Sequence, residues 1–133
     1  MRRFIRTTLV YSGLLATASF AWANAVREMP LEEKSRRSDL VVIGTVTSIE
    51  KERCTDVGRC AHLQISSLLK GARRDEVVVL FDGSIAEEDP LCCQVGMTYL
   101  LFLAHVKGKG SFFESVNGPF GVYPTAAGAK PQK

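Results

Sequence analysis

The sequence predicts an all-β domain with one short helix, arranged as a small five-stranded antiparallel barrel. Runs rich in β-branched and aromatic residues recur between turn signals along the chain. No long helical period separates these runs, which argues against a parallel α/β layout. A closed or partly closed barrel fits because closure removes exposed strand edges, and Gly44 lies where the long first strand would need a sharp bend.

Residues 1–25 have the layout of a cleaved export signal. A start containing three arginines precedes an apolar centre from Leu9 to Phe20 and then small residues. We expect cleavage after Ala25, which leaves Val26 as the first residue; cleavage after Ala23 is the alternative. The apolar centre is shorter than the roughly 20 residues that cross a bilayer, so we expect a secreted or periplasmic protein without a stable membrane anchor.

The remainder forms one domain over residues 26–124, followed by a disordered tail over residues 125–133. Without the three arginines of the signal, the chain has 14 basic and 14 acidic residues. This zero net charge disfavours nucleic acid as a partner, since such binding depends on an excess of Lys and Arg.

The helix is expected within residues 28–38. Pro30 suits a first helical position, acidic residues follow it, and basic residues come last, an order that matches the helix dipole. The apolar face of this helix is thin, so the helix must pack on another element to remain folded.

The strands are expected over residues 40–50, 60–69, 76–81, 97–106 and 112–116, with a short one at 120–123. The second alternates, with Leu63 and Ile65 on one face and His62 and Gln64 on the other. The third is apolar enough to be covered on both faces, and the fourth is the most apolar. A long loop over residues 82–95 separates the third and fourth strands.

Four cysteines remain after cleavage: Cys54, Cys60, Cys92 and Cys93. An even count in a small exported chain indicates disulfides. Because a bond between neighbouring cysteines closes a strained ring, we expect both bridges to join the Cys54–Cys60 segment to the Cys92–Cys93 pair. The alternative is a thiol redox or metal-handling role, of which mutually bonded or free thiols at Cys92 and Cys93 would be the signature.

Three segments together resemble the tissue inhibitors of metalloproteinases and, more broadly, the netrin-like modules and their small bacterial secreted relatives. These segments are residues 38–46 (SDLVVIGTV), 69–71 (LKG) and 96–103 (GMTYLLFL). The resemblance covers roughly residues 39–123 and implies an OB-fold barrel that is stabilised by disulfides and binds other molecules. The inhibitors carry a cysteine at the mature amino terminus, whereas the first cysteine here is Cys54, so the inhibitory wedge is not carried over.

No motif in the sequence combines a nucleophile with an activating base and an anion stabiliser. We therefore expect that the protein is not an enzyme and that it binds no cofactor and no metal. The acidic run 87–89 could contribute to a calcium loop, but it lacks the alternating ligands of such loops, and a solvated loop is the preferred interpretation.

The leading hypothesis is therefore a non-catalytic exported binding module with a protein or carbohydrate partner; the sequence leaves the partner and the oligomeric state open. Two polar loops, Arg53–Arg59 and Gly83–Gln94, are the expected binding elements, joined by the cysteines. A protease inhibitor acting through a loop is the alternative. The candidate contact residues are Arg53, Asp56, Arg59, Glu87, Glu88 and Asp89.

Overall fold

The computed structural model describes residues 26–56, 58–108 and 111–125. The described chain is mostly β with one short helix, as predicted. The helix α1 spans Leu31–Arg37. The strands are β1 (Leu40–Ile49), β2 (Arg59–Lys70), β3 (Glu76–Asp82), β4 (Thr98–His105), β5 (Phe112–Ser115) and β6 (Val122–Pro124).

Five strands pair in a ring. β1 pairs with β2 and β4, β2 with β3, β3 with β5, and β5 with β4. β6, which corresponds to the short strand predicted at residues 120–123, pairs with β4 outside the ring, so the sheet has six strands of which five form the ring.

The prediction that all strand pairs are antiparallel was wrong, because β3 and β5 are parallel. A ring with an odd number of strands must contain at least one parallel pair, since strand direction cannot alternate all the way round. The β3–β5 pair is that exception.

The core lies inside the ring and consists mainly of the inward-facing residues of all five strands, together with Cys93 and Val122. The alternation predicted for β2 is confirmed, since Leu63 is 1 % exposed whereas its neighbour Gln64 is exposed. The sequence predicted that both faces of β3 are buried. Its inward face is buried, whereas Val78 and Leu80 on the outward face are only half-buried, so the prediction is confirmed in part. The fully enclosed members include Val42, Leu63, Val79, Leu101, Leu103 and Phe113.

The helix α1 covers the outer face of β4 and β6 through a buried lysine. Lys34 is 1 % exposed, and its ammonium donates a hydrogen bond to the Tyr123 hydroxyl and lies 4.9 Å from the Tyr123 ring centroid. The carboxylate of Glu28 is 3.8 Å from the same ammonium. The aliphatic stem of Lys34 thus supplies the packing that the thin apolar face of α1 lacks.

The predicted export signal at residues 1–25 lies outside the described residues, as does most of the predicted tail. Thr125, the first residue of that tail, donates its backbone N–H to the Thr98 carbonyl at 2.9 Å, so ordered pairing extends one residue beyond the predicted boundary. Among the described residues, no helix has the length and apolar character needed to cross a membrane.

Candidate functional site

Two loops meet at one end of the ring, where β1 and β3 end and β2 and β4 begin. They are the β1–β2 loop (residues 50–58) and the loop over residues 83–97, here named the anchored loop. Gly58 packs so closely on the backbone that an added Cβ would lie 2.7 Å from the Asp82 carbonyl carbon and 2.9 Å from the Gly83 Cα. The structure therefore brings together the two loops that the sequence singled out.

The disulfides do not join these loops, and this part of the prediction was wrong. Cys54 bonds to Cys60 and Cys92 bonds to Cys93. A tight turn closed by the Gly58 carbonyl, which accepts from the Cys54 N–H at 3.0 Å, brings the Cys54 and Cys60 Cα atoms to 5.7 Å, an ordinary disulfide separation. Local geometry thus pairs each cysteine with its near neighbour in sequence.

The anchored loop is fixed at both ends and in its middle. Asp89 accepts the Gly83 N–H at 2.8 Å, and Gly96 donates its N–H to the Val46 carbonyl at 2.8 Å. Cys93 is buried in the core at 8 % exposure, with Cys92 packed against it. Contacts within the chain therefore hold the conformation of the anchored loop.

This fixed loop exposes four large aliphatic side chains. The exposed fraction is 74 % for Leu91 and 61 % for Val95. These residues are not among those predicted from charge; the sequence signal for them is an apolar residue at several positions of a loop otherwise rich in turn formers. The four are Ile85, Leu91, Val95 and Met97.

Three of the predicted charged contact residues form contacts within the chain. The Arg59 guanidinium is 2.7 Å from the Asp82 carboxylate and lies over the Phe81 ring at 5.4 Å. Arg53 donates to the Asp56 carbonyl at 3.0 Å, and Asp89 is the acceptor for Gly83 described above. These side chains shape the loops. Of the acidic run, Glu87 is exposed and Glu88 faces a groove.

The groove has a volume of about 410 Å³ and lies between the anchored loop and β5. Its walls are apolar at Leu80 and Val106 and acidic at Glu88 and Glu114. Burial raises the pKa of the Glu114 carboxyl and the nearby Glu88 carboxylate raises it further, whereas Lys107 lowers it. The groove is therefore an environment that disfavours a second negative charge and favours a cation.

Among the described residues, no three His, Cys, Asp or Glu side chains are grouped as metal ligands would be. His62 lies on the outer face of β2 with its Nε2 2.8 Å from the Glu50 carboxylate, so this histidine is part of a surface pair. Comparison with family models, curated proteins and solved structures finds no match for this chain. The resemblance to the metalloproteinase inhibitors therefore stays a prediction.

Proposed function

We propose that the protein is an exported, non-catalytic binding module whose anchored loop contacts a partner protein. The observation that carries the proposal is the exposure of four large aliphatic side chains on a loop that the fold itself holds in place. Contiguous exposed apolar surface on a folded chain is a mark of interaction sites, and these four side chains belong to one loop. A preformed loop also loses less conformational freedom on binding than a mobile one.

The chemistry of the exposed residues favours protein over carbohydrate as the partner. All four are aliphatic, and aliphatic side chains bind by entering apolar pockets from which water is excluded. Arg59 and Asp82, which lie nearby, are paired with each other at 2.7 Å. The exposed aliphatic side chains themselves offer no strong hydrogen-bonding group that would orient a sugar.

The fold proposal is an OB-type barrel. The ring order β1-β2-β3-β5-β4, returning to β1, supports it, since an OB-fold is a five-stranded, partly open Greek-key barrel that binds ligands with its loops. The two disulfides support export, because such bonds persist in oxidising compartments.

Removing the exposed aliphatic residues tests the proposal. We expect the double variant Leu91→Ser/Val95→Ser to capture its partner from the exported-protein fraction of the source cells at least about tenfold less than wild type, as for interface residues that dominate binding. The measurement is quantitative mass spectrometry of the proteins retained on the immobilised chain.

The matched control is Leu68→Ser/Leu69→Ser at the opposite end of β2, where Leu69 is 61 % exposed, the same as Val95. Both double variants alter exposed positions and should keep wild-type stability within about 0.5 kcal/mol. Equal loss of capture in both, or unchanged capture in the loop variant, would contradict the proposal.

A second candidate function is thiol–disulfide exchange at Cys92 and Cys93, which the sequence raised as an alternative. The observation favouring it is that the two cysteines are bonded to each other. An external dithiol would transfer two electrons: its thiolate attacks one sulfur of the bond and displaces the other as a thiolate. The attacking thiol's partner then closes a new disulfide, which leaves Cys92 and Cys93 as thiols.

This candidate predicts that a dithiol peptide reduces Cys92–Cys93 before Cys54–Cys60 and is itself oxidised to a disulfide in the same exchange. Timed alkylation followed by peptide mass analysis measures the order. Simultaneous reduction of both bonds, or no oxidation of a dithiol peptide by the protein, excludes the role. The inhibitor alternative has no structural observation of its own and stays a prediction.

A further inference from the structure

We propose that the acidic groove is the receptor for the protein's own processed amino terminus, the ammonium group of Val26. Val26 lines the groove together with Glu88, Asp89 and Glu114. In the unprocessed chain the nitrogen of Val26 is an uncharged amide. Cleavage after Ala25, which the sequence predicts, converts it to an ammonium among these carboxylates. The inference rests on that cleavage and is independent of the proposed partner.

The segment that follows Val26 is held against the sheet, which fixes where the new terminus lies. Asn117 donates from its side-chain amide to the Arg27 carbonyl at 2.7 Å and accepts the Met29 N–H at 2.8 Å. Both polar groups of one side chain thus bind the segment. Further along, the Glu28 carboxylate accepts from the Tyr123 hydroxyl at 3.2 Å.

The carboxylates on either wall lack a cationic partner. Among the described residues, neither Glu88 nor Glu114 is within ion-pair distance of a basic side chain. Asp89 is engaged with the Gly83 N–H, and Lys107 is the cation that acts on Glu114. A charge at Val26 would therefore join the anchored loop, through Glu88, to β5, through Glu114.

The charge balance predicts how this contact depends on pH. The carboxylates Glu88, Asp89 and Glu114 would favour the charged form of the ammonium, whereas Lys107 and Arg27 would oppose it; a free terminus has an ordinary pKa of about 7.7–8.0. The stabilising contribution is then present where the carboxylates are ionised and the pH is below about 7.7. It is lost at high pH, where the terminal ammonium gives up its proton.

A sign reversal in one variant tests the proposal. We would prepare the exported protein with its amino terminus identified by mass, and acetylate the terminus selectively in half of the sample. In the free-amine protein at pH 7, Glu114→Gln should raise the unfolding equilibrium constant roughly two- to fivefold, the size of a solvent-screened ion pair. In the acetylated protein it should lower that constant, because the burial cost and the Glu88 repulsion that the substitution removes outweigh the lost attraction of Lys107.

The matched control is Glu87→Gln, which alters the neighbour of Glu88 in the same turn of 3-10 helix at a position that does not line the groove. It should leave the unfolding constant unchanged in both forms. Denaturant titrations at pH 7 and pH 10 measure all the variants. An effect of Glu114→Gln with the same sign in both forms would overturn the proposal, as would a processed chain beginning at Asn24.

Discussion

Replacing Phe113 by alanine is expected to destabilise the protein by about 3–5 kcal/mol, the range for a buried aromatic ring. Phe113 is 1 % exposed. Its ring lies 4.3 Å from the His105 ring centroid and 4.7 Å from the Arg74 guanidinium. It is also the inward residue of the four-residue strand that joins β3 to β4, so its loss weakens closure of the ring. Denaturant unfolding followed by circular dichroism measures the change.

Phe112→Ala is the control for this prediction. Phe112 precedes Phe113 in the same strand, faces outward and is half-buried. Its replacement should therefore lower the free energy of unfolding by distinctly less than Phe113→Ala does. Equal losses for the two variants would show that β5 does not have the inward and outward faces described.

The second large effect is expected from Gly58→Ala, which alters the contact between the two loops. The added Cβ meets the backbone of Asp82 and Gly83, and backbone cannot rotate aside as a side chain can. We expect overpacking to lower the free energy of unfolding by about 1–3 kcal/mol and to alter the amide chemical shifts throughout both loops. Thermal unfolding and NMR spectra of the variant measure the two effects.

Gly83→Ala is a matched substitution at the same junction. Its Cβ would lie 3.1 Å from the Asp89 Oδ1 atom, the end of a side chain that can shift by a few tenths of an ångström. A small effect here beside a large one at Gly58 is expected. If both variants retain wild-type stability and spectra, the loops do not pack as described.

Much of the fold could be predicted because strands with one buried face show an alternation of apolar and polar residues in the sequence. The inward positions of β2, such as Leu63, alternate with polar residues that face solvent. The helix Leu31–Arg37 lies within the predicted range of residues 28–38. The burial of Lys34 was not predicted, because a lysine that packs through its aliphatic stem is polar in the sequence pattern. The parallel β3–β5 pair follows from the odd number of strands in the ring. This is a property of the whole sheet, and no single segment of the sequence shows it.

The site was predicted in outline and missed in detail. The two loops are neighbours, but Arg59 and Asp89 hold the structure together, whereas the exposed surface is formed by residues such as Leu91. A loop residue's exposure depends on what surrounds it in space, which the sequence does not record. The cysteine pairing failed for a similar reason, since the turn that brings Cys54 close to Cys60 depends on hydrogen bonds to Gly58.

The central claim is that the anchored loop is the partner-binding surface, and photo-crosslinking tests it most directly. A photoreactive amino acid would be placed at Leu91, which is 74 % exposed, and in a separate protein at Leu69, which is 61 % exposed at the other end of β2. Irradiation in the exporting cells should give a discrete adduct from position 91 that excess wild-type protein abolishes, and none from position 69. The same adducts from both positions, or no competable adduct from position 91, would contradict the account.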